Sequence, residues 1–146
     1  MSVPVSVVLE RKGRRVATIA PGASLAEAAH ELAHHDVGAL VVAPDGATIE
    51  GIISERDLAR ALARLGSACG DEPVRAVMVD EVVTCSPDTS VDDLTALMTH
   101  RRVRHVPVVE AGVLVGIVSI GDVVKSRMDE LELEAESLAT YVRGGG

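Results

Sequence analysis

Two stretches of this chain, Gly51-Ile52-Ile53-Ser54-Glu55-Arg56-Asp57 and Gly116-Ile117-Val118-Ser119-Ile120-Gly121-Asp122, share the pattern Gly-apolar-apolar-Ser-x-x-Asp. The apolar pair reads as the end of a buried strand, and the Ser as the cap of the helix that follows. Such a junction is suited to holding a sugar phosphate. First-turn amides and the helix dipole favour an anion, and a carboxylate one turn in can accept both hydroxyls of a ribose. Either copy alone is explained as a helix cap. Recurrence at matched positions singles the two out as candidate binding residues.

Other reactive side chains form no comparable set. His30 and His34, with Glu27 and Glu31, are helical neighbours, and two His one turn apart can ligate zinc. That face lies opposite the Leu25, Ala29 and Leu32 stripe and reads as solvated surface, so no metal is expected. Ser, His and Asp occur without a GxSxG elbow or triad spacing, so no catalytic residue is assigned and no enzyme is expected. Cys69 and Cys85 belong to no CxxC arrangement or Cys/His set and read as free thiols in a reducing cytosol.

The elements that position the two motifs come from an internal repeat. A shift of 66 lays Thr18-Ile19-Ala20-Pro21 over Thr84-Cys85-Ser86-Pro87, then Leu32 over Met98, His34 over His100, Val37 over Val103 and Val42 over Val108. One residue is dropped before the second motif. Upstream, Pro4-Val5 with Val7-Val8-Leu9 resembles Pro73-Val74 with Ala76-Val77-Met78. A unit of this length present twice argues for a pseudo-symmetric pair and against an open array. Ser24 with Glu27 and Ser90 with Asp93 predict capped helices. Val37 to Ala43 and Val106 to Val109 predict strands, and Gly51 and Gly116 open the partner strands. Each repeat is thus β-α-β-β-α, an α+β fold. Repeat 1 spans residues 5–65, a linker 66–72 and repeat 2 73–128; a helical extension and tail over 129–146 follows.

Composition narrows the partners. Apolar residues make up 47% of the chain, without Trp or Phe and with one Tyr, so the interior must be built from aliphatic side chains. A net charge of −8 opposes attraction to nucleic acid, and stacking platforms are missing. No apolar run approaches the length that spans a bilayer. Arg11, Lys12, Arg14 and Arg15 follow the first apolar stretch, the wrong order for a signal peptide, and a cytoplasmic location is expected.

From about Val5 to Lys125 the chain resembles the CBS domain family, specifically two-repeat bacterial signal-transduction modules of the Bateman type. The resemblance rests on Thr18 to Pro21, Val37-Gly38-Ala39-Leu40-Val41-Val42, Gly51 to Asp57, Thr84 to Pro87, Val103-Arg104-His105-Val106-Pro107-Val108-Val109 and Gly116 to Asp122. It implies a regulatory, non-catalytic protein that binds AMP, ADP, ATP, NAD or S-adenosylmethionine in two clefts between repeats. Carried over by position, one cleft combines Ser54, Arg56 and Asp57 with Thr84, Arg104, His105 and Pro107. The other combines Ser119 and Asp122 with Thr18, Gly38 and Ala39. In both, adenine would read backbone groups near Thr18 or Thr84.

The two clefts should differ. Arg56, Arg104 and His105 on one side face Gly121, Gly38 and Ala39 on the other, so the Asp57 cleft should prefer phosphorylated nucleotides and the Asp122 cleft should be more neutral and roomier. Arg101 and Arg102 read as surface residues at a helix end. The long acidic helix over Val123 to Val142 is expected either as a solvated tail or as a clamp on a second subunit through Leu131, Leu138 and Tyr141. The resemblance implies a homodimer read by an effector protein; the alternative is a structural or interaction module whose clefts hold no ligand.

Overall fold

A computed structural model describes residues 2–144; the end of the tail read to residue 146 lies outside the described residues. The helices are α1 (Val5–Lys12), α2 (Leu25–His35), α3 (Glu55–Leu65), α4 (Val91–Arg101) and α5 (Ile120–Gly144). The strands are β1 (Thr18–Ile19), β2 (Ala39–Val42), β3 (Gly51–Ser54), β4 (His105–Glu110) and β5 (Val113–Ser119). Two 3₁₀ segments, Gly66–Asp71 and Val74–Ala76, link the halves. This is the expected mixed α+β pair with a long C-terminal helix.

Local chemistry explains the element starts. Ser24 Oγ accepts from Glu27 N at 3.1 Å and Ser90 Oγ from Asp93 N at 3.0 Å, which caps α2 and α4. Both helices end on a left-handed residue at matched positions, Asp36 (φ 53°) and Arg102 (φ 55°). The β4–β5 hairpin turns on Ala111 and Gly112, both with positive φ, the geometry of a tight two-residue turn.

The first sheet orders β1-β2-β3, with β1 parallel and β3 antiparallel to β2; the second pairs β4 and β5 alone. The first strand expected in repeat 2, at Thr84-Cys85, is reduced to one parallel bridge between Cys85 and Val108. The reason is Pro107. In repeat 1, Val41 N donates to Ala17 O at 3.1 Å and Ala43 N to Ile19 O at 3.1 Å. In repeat 2, Val109 N donates to Cys85 O at 2.8 Å, but Pro107 stands where Val41 does and has no N–H. The carbonyl of Val83 therefore has no ladder partner among the described residues.

The two cores are exchanged at their upstream ends. Val5, Val8 and Leu9 of α1 pack with Val91, Leu94, Met98, Val106 and Val118 of the second repeat. Val74 packs with Leu25, Leu32, Leu40 and Ile53 of the first, joined by Val77 and Met78. Bridges Pro4–Ser90 and Ser24–Pro73 mark the same exchange. Glycine permits it. A Cβ on Gly116 would lie 2.7 Å from Leu9 Cδ2, and one on Gly51 would lie 2.6 Å from Met78 Sδ and 2.9 Å from Val79 O. Cys69 and Cys85 are both free, and burial pushes the Cys85 thiol up to about 11, so it stays a thiol.

Candidate functional site

Both Ser-x-x-Asp motifs sit where the sequence reading puts them, at the strand-to-helix junctions β3–α3 and β5–α5, and each forms a reciprocal cap. Asp57 Oδ2 accepts from Ser54 N at 2.8 Å while Ser54 Oγ accepts from Asp57 N at 3.3 Å. Asp122 Oδ2 accepts from Ser119 N at 2.8 Å while Ser119 Oγ accepts from Asp122 N at 3.2 Å. The first helical amides are also taken: Glu55 N donates to Gly38 O at 3.0 Å and Ile120 N to Arg104 O at 2.8 Å. This corrects the expectation of several free amides. In each first turn the remaining donor is the middle amide, that of Arg56 or Gly121, so an anion must be held chiefly by side chains.

The Asp57 junction supplies those side chains. A cavity of about 310 Å³, the lower end of the range for small-molecule pockets, opens in front of it. Ser54 reaches it from the end of β3, Glu55, Arg56, Asp57 and Arg60 from α3, and Arg102, Val103, Arg104 and His105 from the end of α4 and the start of β4. Val79, Glu81, Val82 and Val83 line the opposite wall. Four arginines thus share the cavity with three acidic residues, Glu55, Asp57 and Glu81, none of which makes an ion pair among the described residues. The wall beside them includes Val79, Val82 and Val83, the last being the residue whose carbonyl Pro107 leaves without a ladder partner.

Several expected residues are placed differently. Gly38, expected on the Asp122 side, lines the Asp57 cavity instead. A Cβ there would lie 3.0 Å from His105 Nε2 and 3.1 Å from Glu55 Oε1, so the glycine makes room for both. Burial lowers the His105 pKa against the opposing pull of Glu55, favouring the neutral imidazole. Ala39 is buried and pairs with Ser54 across the sheet. Pro107 is buried in β4, and Thr84 is exposed beside Val83; neither reaches the cavity wall. Thr18 lines a separate shallow concavity with Ala23, Ala26, Glu27 and His30, away from Asp122.

Arg102, read as surface, and Arg60, not singled out, both line the cavity. Arg60 was accessible to helical spacing, four residues after Arg56. Arg102 depends on its left-handed backbone, which no residue type there announces.

At the second junction Lys12 Nζ lies 2.5 Å from Asp122 Oδ2 and donates to Ile117 O at 2.9 Å. The Asp122 carboxylate is thus met by the chain's own ammonium, a neutralising partner from α1 that the sequence reading did not include.

Fold and site together define a pseudo-symmetric two-repeat module with its clefts at matched junctions. The CBS domain family model matches residues 11–64 and 74–129, and the chain belongs to that family as a tandem CBS pair. A CBS-domain containing protein of Agrobacterium tumefaciens is 46% identical, with a TM-score of 0.83 over 87% of this chain and 95% of that one. A mitochondrial CBS domain-containing protein of Arabidopsis thaliana is 37% identical over 123 residues, 82% of this chain and 60% of the relative, so this chain spans well under two thirds of that protein. The CBS domain pair of a protein solved in complex with 5-methylthioadenosine and S-adenosyl-L-methionine is 27% identical, with a TM-score of 0.75 over 84% of this chain and 98% of that one. Among the described residues no helix is long and apolar enough to cross a membrane.

Proposed function

We propose that the chain is a regulatory module that binds a phosphorylated adenine nucleotide, of the AMP, ATP or NAD type, in the Asp57 cleft. The observation that carries this is four arginines, Arg56, Arg60, Arg102 and Arg104, around a cavity that also holds the unsalted Asp57 carboxylate. A carboxylate suits a ribose diol, guanidinium groups suit phosphate, and the backbone of Val83 offers an acceptor to an adenine amine. The bound adenosine derivatives of the solved relative support the adenosine part of this reading. Occupancy would alter how the repeats pack and be read by an effector protein, to the extent that the ligand distinguishes two arrangements.

A second copy of the chain is the proposed partner. Val124, Met128, Leu131, Ala135, Leu138 and Val142 are exposed on α5 at alternating steps of four and three, the seam of a two-stranded coiled coil. Parallel pairing sets Arg127 against Glu132 of the partner subunit, whereas antiparallel pairing crowds Glu132 and Glu134 of the two copies together. Leu131→Asp should convert a dimer to a monomer in light scattering.

The ligand reading is tested by thermal shift with AMP, ATP, NAD and S-adenosylmethionine. A ligand at about 100 times its dissociation constant adds roughly 2.7 kcal/mol. The second reading, a ligand-free interaction module, is favoured by the ion pair that covers Asp122. It takes precedence if none of the four ligands moves the melt.

A further inference from the structure

We propose that Lys12 holds the Asp122 cleft shut and so limits the pair to one bound nucleotide; this rests on reading the Asp57 cleft as a nucleotide site. The ammonium stands at hydrogen-bond distance from the oxygen of Asp122 that also takes the Ser119 amide, and its second bond to Ile117 O fixes it over the end of β5. A ribose hydroxyl bonding Oδ2 would have to stand where that nitrogen is. A diol would also bond an ionised acceptor, but it carries no opposite charge and would leave the Lys12 ammonium without both Asp122 and Ile117 O, so it does not displace Lys12 without compensation. Burial pushes the Asp122 carboxyl up, and Lys12 with the Ser119 amide overcomes this, leaving it below its ordinary range.

Lys12 is not a wandering surface side chain. Leu9, one turn earlier, is fully buried against Gly116, Arg11 lies 3.6 Å from Asp129 of α5, and Gly13 (φ 100°) ends α1 directly after Lys12. The other half offers the control. Met78 covers Gly51 as Leu9 covers Gly116, and three residues beyond each stand Glu81 and Lys12. Glu81 lines the open cavity, where its charge repels Asp57 instead of pairing with it. The sign of one side chain at matched places separates an open cleft from a closed one.

The test is calorimetric titration of the full chain with AMP. Wild type should take one AMP, lost in Asp57→Asn and kept in Asp122→Asn. Lys12→Met, which keeps the aliphatic stem, should take two, the second lost when Asp122→Asn is added. Lys12→Gln repeats the experiment should Met unsettle α1, with circular dichroism checking the fold of each. One AMP in both folded Lys12 variants, or two in wild type, overturns the latch and leaves the Asp57 reading standing. No AMP in wild type but one in Lys12→Met upholds the latch and overturns the Asp57 reading. No AMP in any of them overturns both.

Discussion

The Asp57 and Asp122 junctions share the strand-to-helix turn, the reciprocal cap and a glycine three residues before the Ser, yet they present opposite faces to a ligand. At Asp57 the junction's own helix brings Arg56 and Arg60, and the rest of the chain adds Arg102, Arg104 and Glu81. At Asp122 the neighbour is a lysine already bonded. A motif thus specifies where a carboxylate stands, while the segment packed in from the other repeat decides whether it is available.

The largest expected effect that would break this comparison is on binding. Arg104→Ala should weaken nucleotide binding by about tenfold to a hundredfold, the worth of a charged hydrogen bond at roughly 1.5–3 kcal/mol, and Asp122→Asn should leave it unchanged, both read by calorimetry. Equal losses would mean that the clefts are equivalent.

Next come the glycines that admit the exchanged segments. Gly51→Ala and Gly116→Ala should each cost about 1–3 kcal/mol by overpacking. Gly51→Ala should cost more, because the Val79 carbonyl it would strike is backbone, whereas at Gly116 the Leu9 side chain can yield. Urea denaturation of the two variants reads the difference.

Smaller still is the Lys12–Asp122 pair, whose side chains are 30% and 22% exposed. Lys12→Met should cost about 1 kcal/mol or less at pH 7. Because Asp122 is depressed in the folded state, the pair's contribution is present above the unfolded value of 3.8 and is lost as pH falls through the lower folded value. The gap in urea midpoint between wild type and Lys12→Met should therefore close in that acid window. A gap that persists there would assign the effect to packing.

The smallest effects concern the matched left-handed residues. Asp36→Gly and Arg102→Gly should each stabilise by a few tenths to about 1 kcal/mol, by relieving positive φ. Only Arg102→Gly should also weaken nucleotide binding, which thermal melts with and without AMP would show.

The repeat, the caps at Ser24 and Ser90 and both motif junctions were legible because each rests on local spacing: side chains three or four apart on one helix, or alternating on one strand. Asp57 belongs to one of those junctions, whereas Arg56, Arg104 and His105 were named through the family resemblance; all four line the cavity. What escaped depends on contacts remote in the chain. Lys12 meets Asp122 across 110 positions, and Gly38 falls beside Asp57 because β2 pairs with β3. The shortened strand at Cys85 was within reach, since Pro107 has no amide to give. The free first-turn amides were not, because the carbonyls of Gly38 and Arg104 that occupy two of them come from loops whose path no residue type dictates.

The exchanged upstream segments carry a consequence for synthesis. As the first repeat leaves the ribosome it lacks Val74 and Met78, which must follow before its interior can close, and α1 waits for the second repeat, whose residues up to Val123 complete the other interior. The first interior therefore closes ahead of the second, and α1 stays without its packing partner until residues as far as Val123 have emerged, a contact between distant positions. Expressed separately, each half should remain loose and prone to aggregate, and mixing them should restore order to both at once.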